Sequence, residues 1–129
     1  YITAVIIIDY VNVGKWAEAK HIAYTTYTDL SQKSQVIQLI KGEISTVNKA
    51  IPEWARIKKF VNMHKEFDAD DAELTRTRKM RRAFVEERYK DMIGALYSGK
   101  EQLSVEAPIV YRDGKKGVIR TDITIANVD

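Results

Sequence analysis

The sequence predicts an α+β domain: a small, mainly antiparallel sheet packed with helices, plus a C-terminal β-hairpin. Three patterns carry this reading. Apolar residues between 36 and 51 recur at three- and four-residue steps, the period of a helix with one buried face. Residues 3–8 and 57–64 form short runs of strand composition. From residue 103 onward apolar and polar residues alternate on both sides of Asp113-Gly114, as in a hairpin.

Taken in order, residues 3–8 are β-branched and apolar on both alternating faces, as expected of a strand covered on each side. Residues 11–20 read as a short helix with Val13, Trp16 and Ala17 on one stripe. Residues 21–29 lack a clear period and read as loop. Asp29 or Ser31 can cap the next helix, which runs for about twenty residues on the face of Val36, Leu39, Ile40, Ile44, Val47 and Ile51. Gly42 weakens it by about 1 kcal/mol, and Pro52 stops it. In the strand over 57–64, Ile57, Val61 and Met63 share one face and Phe60 lies on the other.

Glu66, Asp68, Asp70, Asp71 and Glu73 then form an aperiodic acidic run, read as a solvated loop. Arg76, Arg78, Lys79, Arg81 and Arg82 follow as a basic run. Val85, Tyr89, Met92, Ile93 and Leu96 mark a further amphipathic helix, ending near Ser98-Gly99. The tail alternates through Leu103, Val105, Ala107, Ile109 and Tyr111, and again through Ile119, Thr121, Ile123 and Ile125. The chain reads as one domain, 1–129, with 101–129 as its tail hairpin.

Composition excludes several classes. With 129 residues, 45% hydrophobic and 30% charged, the chain can bury a real core and is neither disordered nor fibrous. Its longest apolar run is too short to span a bilayer, and the aspartate after it with no cationic leader before it argues against a signal peptide. The absence of cysteine removes disulfides and thiolate chemistry and fits a cytoplasmic location. His21 and His64 have no ligand-like spacing, so no metal site is expected. Both histidines read as surface groups, and Trp16 and Trp54 as packing residues.

A net charge of +3 is too mild to imply nucleic acid. Its distribution is more telling, because the sign reverses within a few residues. The stretch 73–82 offers two hydroxyls and five cations just before a helix, a set suited to phosphate oxygens. Physical chemistry alone leaves two readings open: an anion-binding loop, or a solvated basic loop paired with the acidic one.

The motif order adds to this. Ile51-Pro52-Glu53-Trp54-Ala55-Arg56-Ile57-Lys58-Lys59-Phe60 is followed by the acidic loop and then by Glu73-Leu74-Thr75-x-Thr77-x-Lys79-x-x-Arg82. With Tyr1-Ile2-Thr3-Ala4-Val5-Ile6-Ile7-Ile8-Asp9 and Trp16-Ala17-Glu18 before them and Ile93-Gly94-Ala95-Leu96-Tyr97 after, these segments resemble the end of AMP-forming long-chain acyl-CoA synthetases. The likeness covers the chain from Tyr1 to about Tyr97, and the tail hairpin resembles an extension seen on some members.

The resemblance implies that Lys79 is the catalytic lysine, contacting the acyl carboxylate and the α-phosphate of ATP during adenylation. Thr75, Thr77 and Arg82 become candidate phosphate-binding residues. It further implies rotation of the subdomain for thioester formation with CoA. ATP, CoA and Mg2+ would serve the full-length enzyme, with the N-terminal adenylation domain of the same polypeptide as partner and a fatty acid as substrate. A phosphate loop, adenine segment and magnesium ligands are not found in these residues, so the chain is expected to be an inert piece of a longer polypeptide. Any membrane association would come from the missing domain. Arg76 stands where the long-chain group often has proline, and Arg78 where many other adenylate-forming enzymes, but not the long-chain branch, have glycine; the roles of both stay open. The alternative is a small nucleic-acid-binding module using residues 76–82. It lacks an aromatic pair on its strands for base stacking, and the acidic loop would repel the phosphates.

Overall fold

The computed structural model describes residues 1–67, 73–77, 79–110 and 115–128. Among these, strand β1 (Ile2–Ile6) leads to helices α1 (Tyr10–Ala19), α2 (Tyr27–Gln32) and α3 (Ser34–Lys49). A single 3₁₀ turn (Glu53–Ala55) enters strand β2 (Ile57–Asn62). Helices α4 (Arg82–Arg88) and α5 (Lys90–Tyr97) and strands β3 (Gln102–Val110) and β4 (Lys116–Asn127) follow. The expected α+β class with its hairpin is what the chain adopts.

The sheet runs β1-β2-β4-β3. β1 and β2 pair in parallel, because three helices intervene and allow the chain to cross over. The β2–β4 and β4–β3 pairs are antiparallel. The tail therefore contributes β4 to the sheet beside β2. Asp113-Gly114, the expected turn, lies outside the described residues, but the register from Leu103↔Ile123 to Val110↔Lys116 is that of a hairpin.

Both faces of β2 and of the adjoining end of β4 are covered. On one, Val61, Met63, Ile123 and Ile125 pack against Met92, Ala95 and Leu96 of α5. On the other, Phe60 and Val128 pack against Ile37 and Ile44 of α3. A third cluster joins Ile8, Ala17, Leu30 and Val36 beyond the end of β1. Gln32 ties α2 to the sheet, donating to the Asn62 carbonyl at 2.8 Å and accepting the Thr124 N–H at 2.9 Å.

Several elements differ from expectation. Ile57 joins the Phe60 face, because a register shift sets Ile2 opposite Ile57 but Thr3 opposite Lys59. Such a bulge reverses the alternation beyond it. The segment read as one helix before Pro52 is two. Thr26 caps α2 by accepting the Asp29 N–H at 3.0 Å, and Asp29 accepts the Thr25 N–H at 3.0 Å, so Asp29 and Ser31 sit inside a helix. In α3, Ile37 is buried whereas Val47 is 54% exposed. Trp54, expected to pack, is 81% exposed on the 3₁₀ turn. Among the described residues no helix is long and apolar enough to cross a membrane.

Candidate functional site

Residues 73–75 and 79–81, which flank the tip of the basic segment, are bonded to one another. Leu74 and Met80 form an antiparallel bridge at the neck of this loop. The Thr75 N–H donates to the Lys79 carbonyl at 2.8 Å, and the Arg81 N–H to the Glu73 carbonyl at 2.9 Å. The Lys79 N–H in turn donates to Thr75 Oγ1 at 3.1 Å, and this oxygen lies 3.1 Å from Thr77 Oγ1. Threonine side chains commonly satisfy local backbone groups in this way, replacing contacts that a helix or sheet would supply. The loop thus holds the backbone of Lys79 at both its polar groups while Thr75, Thr77 and Lys79 remain exposed.

Arg82 begins α4, and its guanidinium lies 4.0 Å from Glu86 one turn on. The structure therefore brings Thr75, Thr77 and Lys79 into one loop and leaves Arg82 on the adjoining helical turn. α4 is seven residues long and its first turn has no side-chain cap. Arg76 is exposed at the loop tip. Arg78 and the acidic residues at 68, 70 and 71 lie outside the described residues.

Glu73 departs most from its expected place. Read as part of a solvated acidic run, it is fully buried, at 0% exposure. A buried carboxylate without partners would be strongly unfavourable. Its oxygens are met by the Lys65 ammonium, by the Tyr89 hydroxyl and, at 3.6 Å, by the Arg88 guanidinium. Lys65 comes from the segment after β2, whereas Arg88 and Tyr89 sit where α4 passes into α5. The expected single helix breaks at Tyr89, whose ring also stacks on Phe67 with centroids 6.0 Å apart. In the local sequence, the apolar Leu74 after Glu73 is the one hint that the acidic run has turned inward.

His64 is likewise buried, at 4% exposure, rather than at the surface. Burial, reinforced by the Lys65 charge, lowers its pKa to about 4, so the ring is neutral at pH 7. It bonds to the Glu106 backbone in β3, and among the described residues its Nδ1 has no partner. His64 lines a groove of about 630 Å³ between the α4–α5 break and the hairpin, together with Lys65, Arg88, Ser104 and Arg120. Two mainly apolar depressions adjoin the lysine loop. Ile7, Val11 and Leu74 line one, Val5, Met80 and Val85 line the other, and Phe67 lines both.

Residues 21–101 match the family model described as the AMP-binding enzyme C-terminal domain. No curated protein and no solved structure matches the chain. The matched span covers well over half the sequence, from the turn before α2 through α5, and contains Glu73 and the whole lysine loop. β1, α1 and the strands of the hairpin fall outside it. The chain belongs to the family of AMP-binding enzyme C-terminal domains and forms part of an adenylate-forming enzyme.

Proposed function

We propose that this domain supplies the catalytic lysine, Lys79, of an AMP-forming long-chain fatty-acid–CoA ligase. The observation that carries the reading is the exposure of Lys79 on a loop whose backbone is held by Thr75. Such a loop can present a cation to a site built by another domain. Membership of a C-terminal domain family implies an N-terminal partner domain, which would bind the fatty acid, ATP and CoA. The apolar depressions beside the loop suit contact with that partner.

In this role Lys79 acts electrostatically. Its ammonium contacts the acyl carboxylate and the α-phosphate together, holds the two anions within reach and offsets charge at phosphorus in the transition state. Thr75 accepts the Lys79 amide and keeps a hydroxyl proton that Thr77 or a phosphate oxygen can accept. Thr77 and Arg82 offer further donors to phosphate. After adenylation the domain rotates, withdrawing Lys79 and admitting CoA to the acyl adenylate. Mg2+ would serve the full-length enzyme, as the resemblance implies. The long-chain assignment is supported by the order of the sequence motifs.

Lys79→Ala in the full-length polypeptide tests this. Acyl-adenylate formation from fatty acid and ATP should fall by about a hundredfold or more. Thioester formation from supplied acyl adenylate should persist. Unchanged adenylation would refute the role, and equal loss of both half-reactions would point to a folding defect.

A further inference from the structure

We propose that Glu73 is a positioning residue for adenylation, acting through Lys79. The inference rests on the reading of Lys79 given above. The backbone carbonyl of Glu73 closes the lysine loop by accepting the Arg81 N–H at 2.9 Å. Its buried carboxylate fixes that closure to the body of the domain on two sides. Lys65 ties it to the segment leaving the central strand β2, and Arg88 and Tyr89 tie it to the break between α4 and α5. One residue therefore joins the neck of the loop to both the sheet and the helices that flank it.

Stability alone is a poor account of this cluster. A buried ion pair offsets much of its attraction by desolvation, and well-packed apolar groups can often replace it without loss. What apolar groups cannot supply is direction. A carboxylate that accepts from Lys65 and Tyr89 and pairs with the Arg88 guanidinium fixes the orientation of the backbone that carries it, here the first residue of the loop. Lys79 lies on the returning arm, bonded to Thr75 and thus two residues of backbone from the clamp. A lysine that must reach two anions at once is sensitive to such placement, since a displacement of about 1 Å at reacting groups can cost about a hundredfold in rate. The helix break at Tyr89 belongs to the same device. It puts the phenol hydroxyl on Glu73 while the ring stays packed on Phe67.

The test uses the full-length enzyme with Glu73→Gln, which keeps size and removes charge. Tyr89→Phe removes one donor and keeps the ring. The kcat for acyl-adenylate formation should fall about 10- to 100-fold in Glu73→Gln and by less in Tyr89→Phe. KM for ATP and thioester formation from supplied acyl adenylate should stay at wild-type values. Adding Glu73→Gln to Lys79→Ala should reduce adenylation no further than Lys79→Ala alone, because a residue that acts through another has no separate effect once that one is gone. Additive losses, or a parallel fall in both half-reactions, would overturn the inference. If Glu73→Gln does not fold, Tyr89→Phe decides by the same readouts, wild-type kcat overturning it. A silent Lys79→Ala would instead defeat the assignment of the lysine itself. Loss in Lys79→Ala with wild-type behaviour in both clamp variants would defeat only the positioning role.

Discussion

Asn48, in the last turn of α3, holds both polar groups of the Ile57 backbone: Nδ2 donates to the Ile57 carbonyl at 2.9 Å and Oδ1 accepts its N–H at 3.0 Å. The pair docks the end of the helix on the first residue of β2, at a site where Asn48 is only 7% exposed. Asn48→Ala leaves two backbone groups unsatisfied and should destabilise the domain by about 2–4 kcal/mol. Urea unfolding at pH 7 measures this, and an unchanged midpoint would show that water replaces the amide at no cost.

His64 makes stability depend on pH. Its folded pKa, about 4, lies below the ordinary 6.5, because burial and the Lys65 and Arg88 charges oppose protonation more than Glu73 and the Glu106 backbone favour it. Between these values the unfolded chain binds the extra proton, so stability falls as pH drops from about 6.5 toward 4, by up to about 3 kcal/mol. Above pH 7 the ring is neutral in both states and contributes no slope. In His64→Leu this part of the slope should vanish. Unfolding free energies at pH 7 and pH 4.5 for both proteins give the comparison, and identical slopes would contradict the assignment.

These two sites mark the limit of what the sequence makes legible. Periodicity finds a pattern wherever one side chain is buried by regular geometry, so it located α1, most of α3 and both strands of the hairpin. It also anticipated the end of α5, where Gly99 adopts φ 79°. It cannot see a bulge, and so placed Ile57 on the wrong face. It cannot see burial that depends on distant partners. Glu73 looks like its acidic neighbours until Tyr89 and Arg88 are folded against it, and His64 looks like a surface ring until β3 covers it. For the lysine loop, charge and hydroxyl content left an anion-binding and a solvated reading open, and only the order of the motifs pointed to Lys79. The threonine bond that shapes the loop spans only four residues, yet no period or propensity signals it.

The hairpin lies outside the family match, yet its Ile123 is completely buried among Val61, Met63 and Leu96. Ile123→Ala should therefore cost about 2–5 kcal/mol, as for a core site. Val118, on the same strand but 63% exposed, should tolerate alanine within about 0.5 kcal/mol. Thermal unfolding of the two variants distinguishes a hairpin that completes the core from one that merely rests on it. Equal, small shifts would mean the latter.

Thr75 has two possible duties, and its variants separate them. Its Oγ1 accepts the Lys79 N–H at 3.1 Å, which shapes the loop, while its hydroxyl proton could serve a phosphate oxygen. Thr75→Val keeps the branched shape and removes the acceptor. Loss of loop shape should lower kcat for acyl-adenylate formation by about tenfold with little change in KM for ATP, the signature of an interaction felt in the transition state. Loss of a ground-state phosphate contact would instead raise KM for ATP at constant kcat. Thr75→Ser retains the oxygen and should stay close to wild type under either account, which excludes a general effect of substitution at the loop. Steady-state kinetics of pyrophosphate release from the full-length enzyme distinguish the two, and the loop-shaping account fails if Thr75→Val changes neither constant.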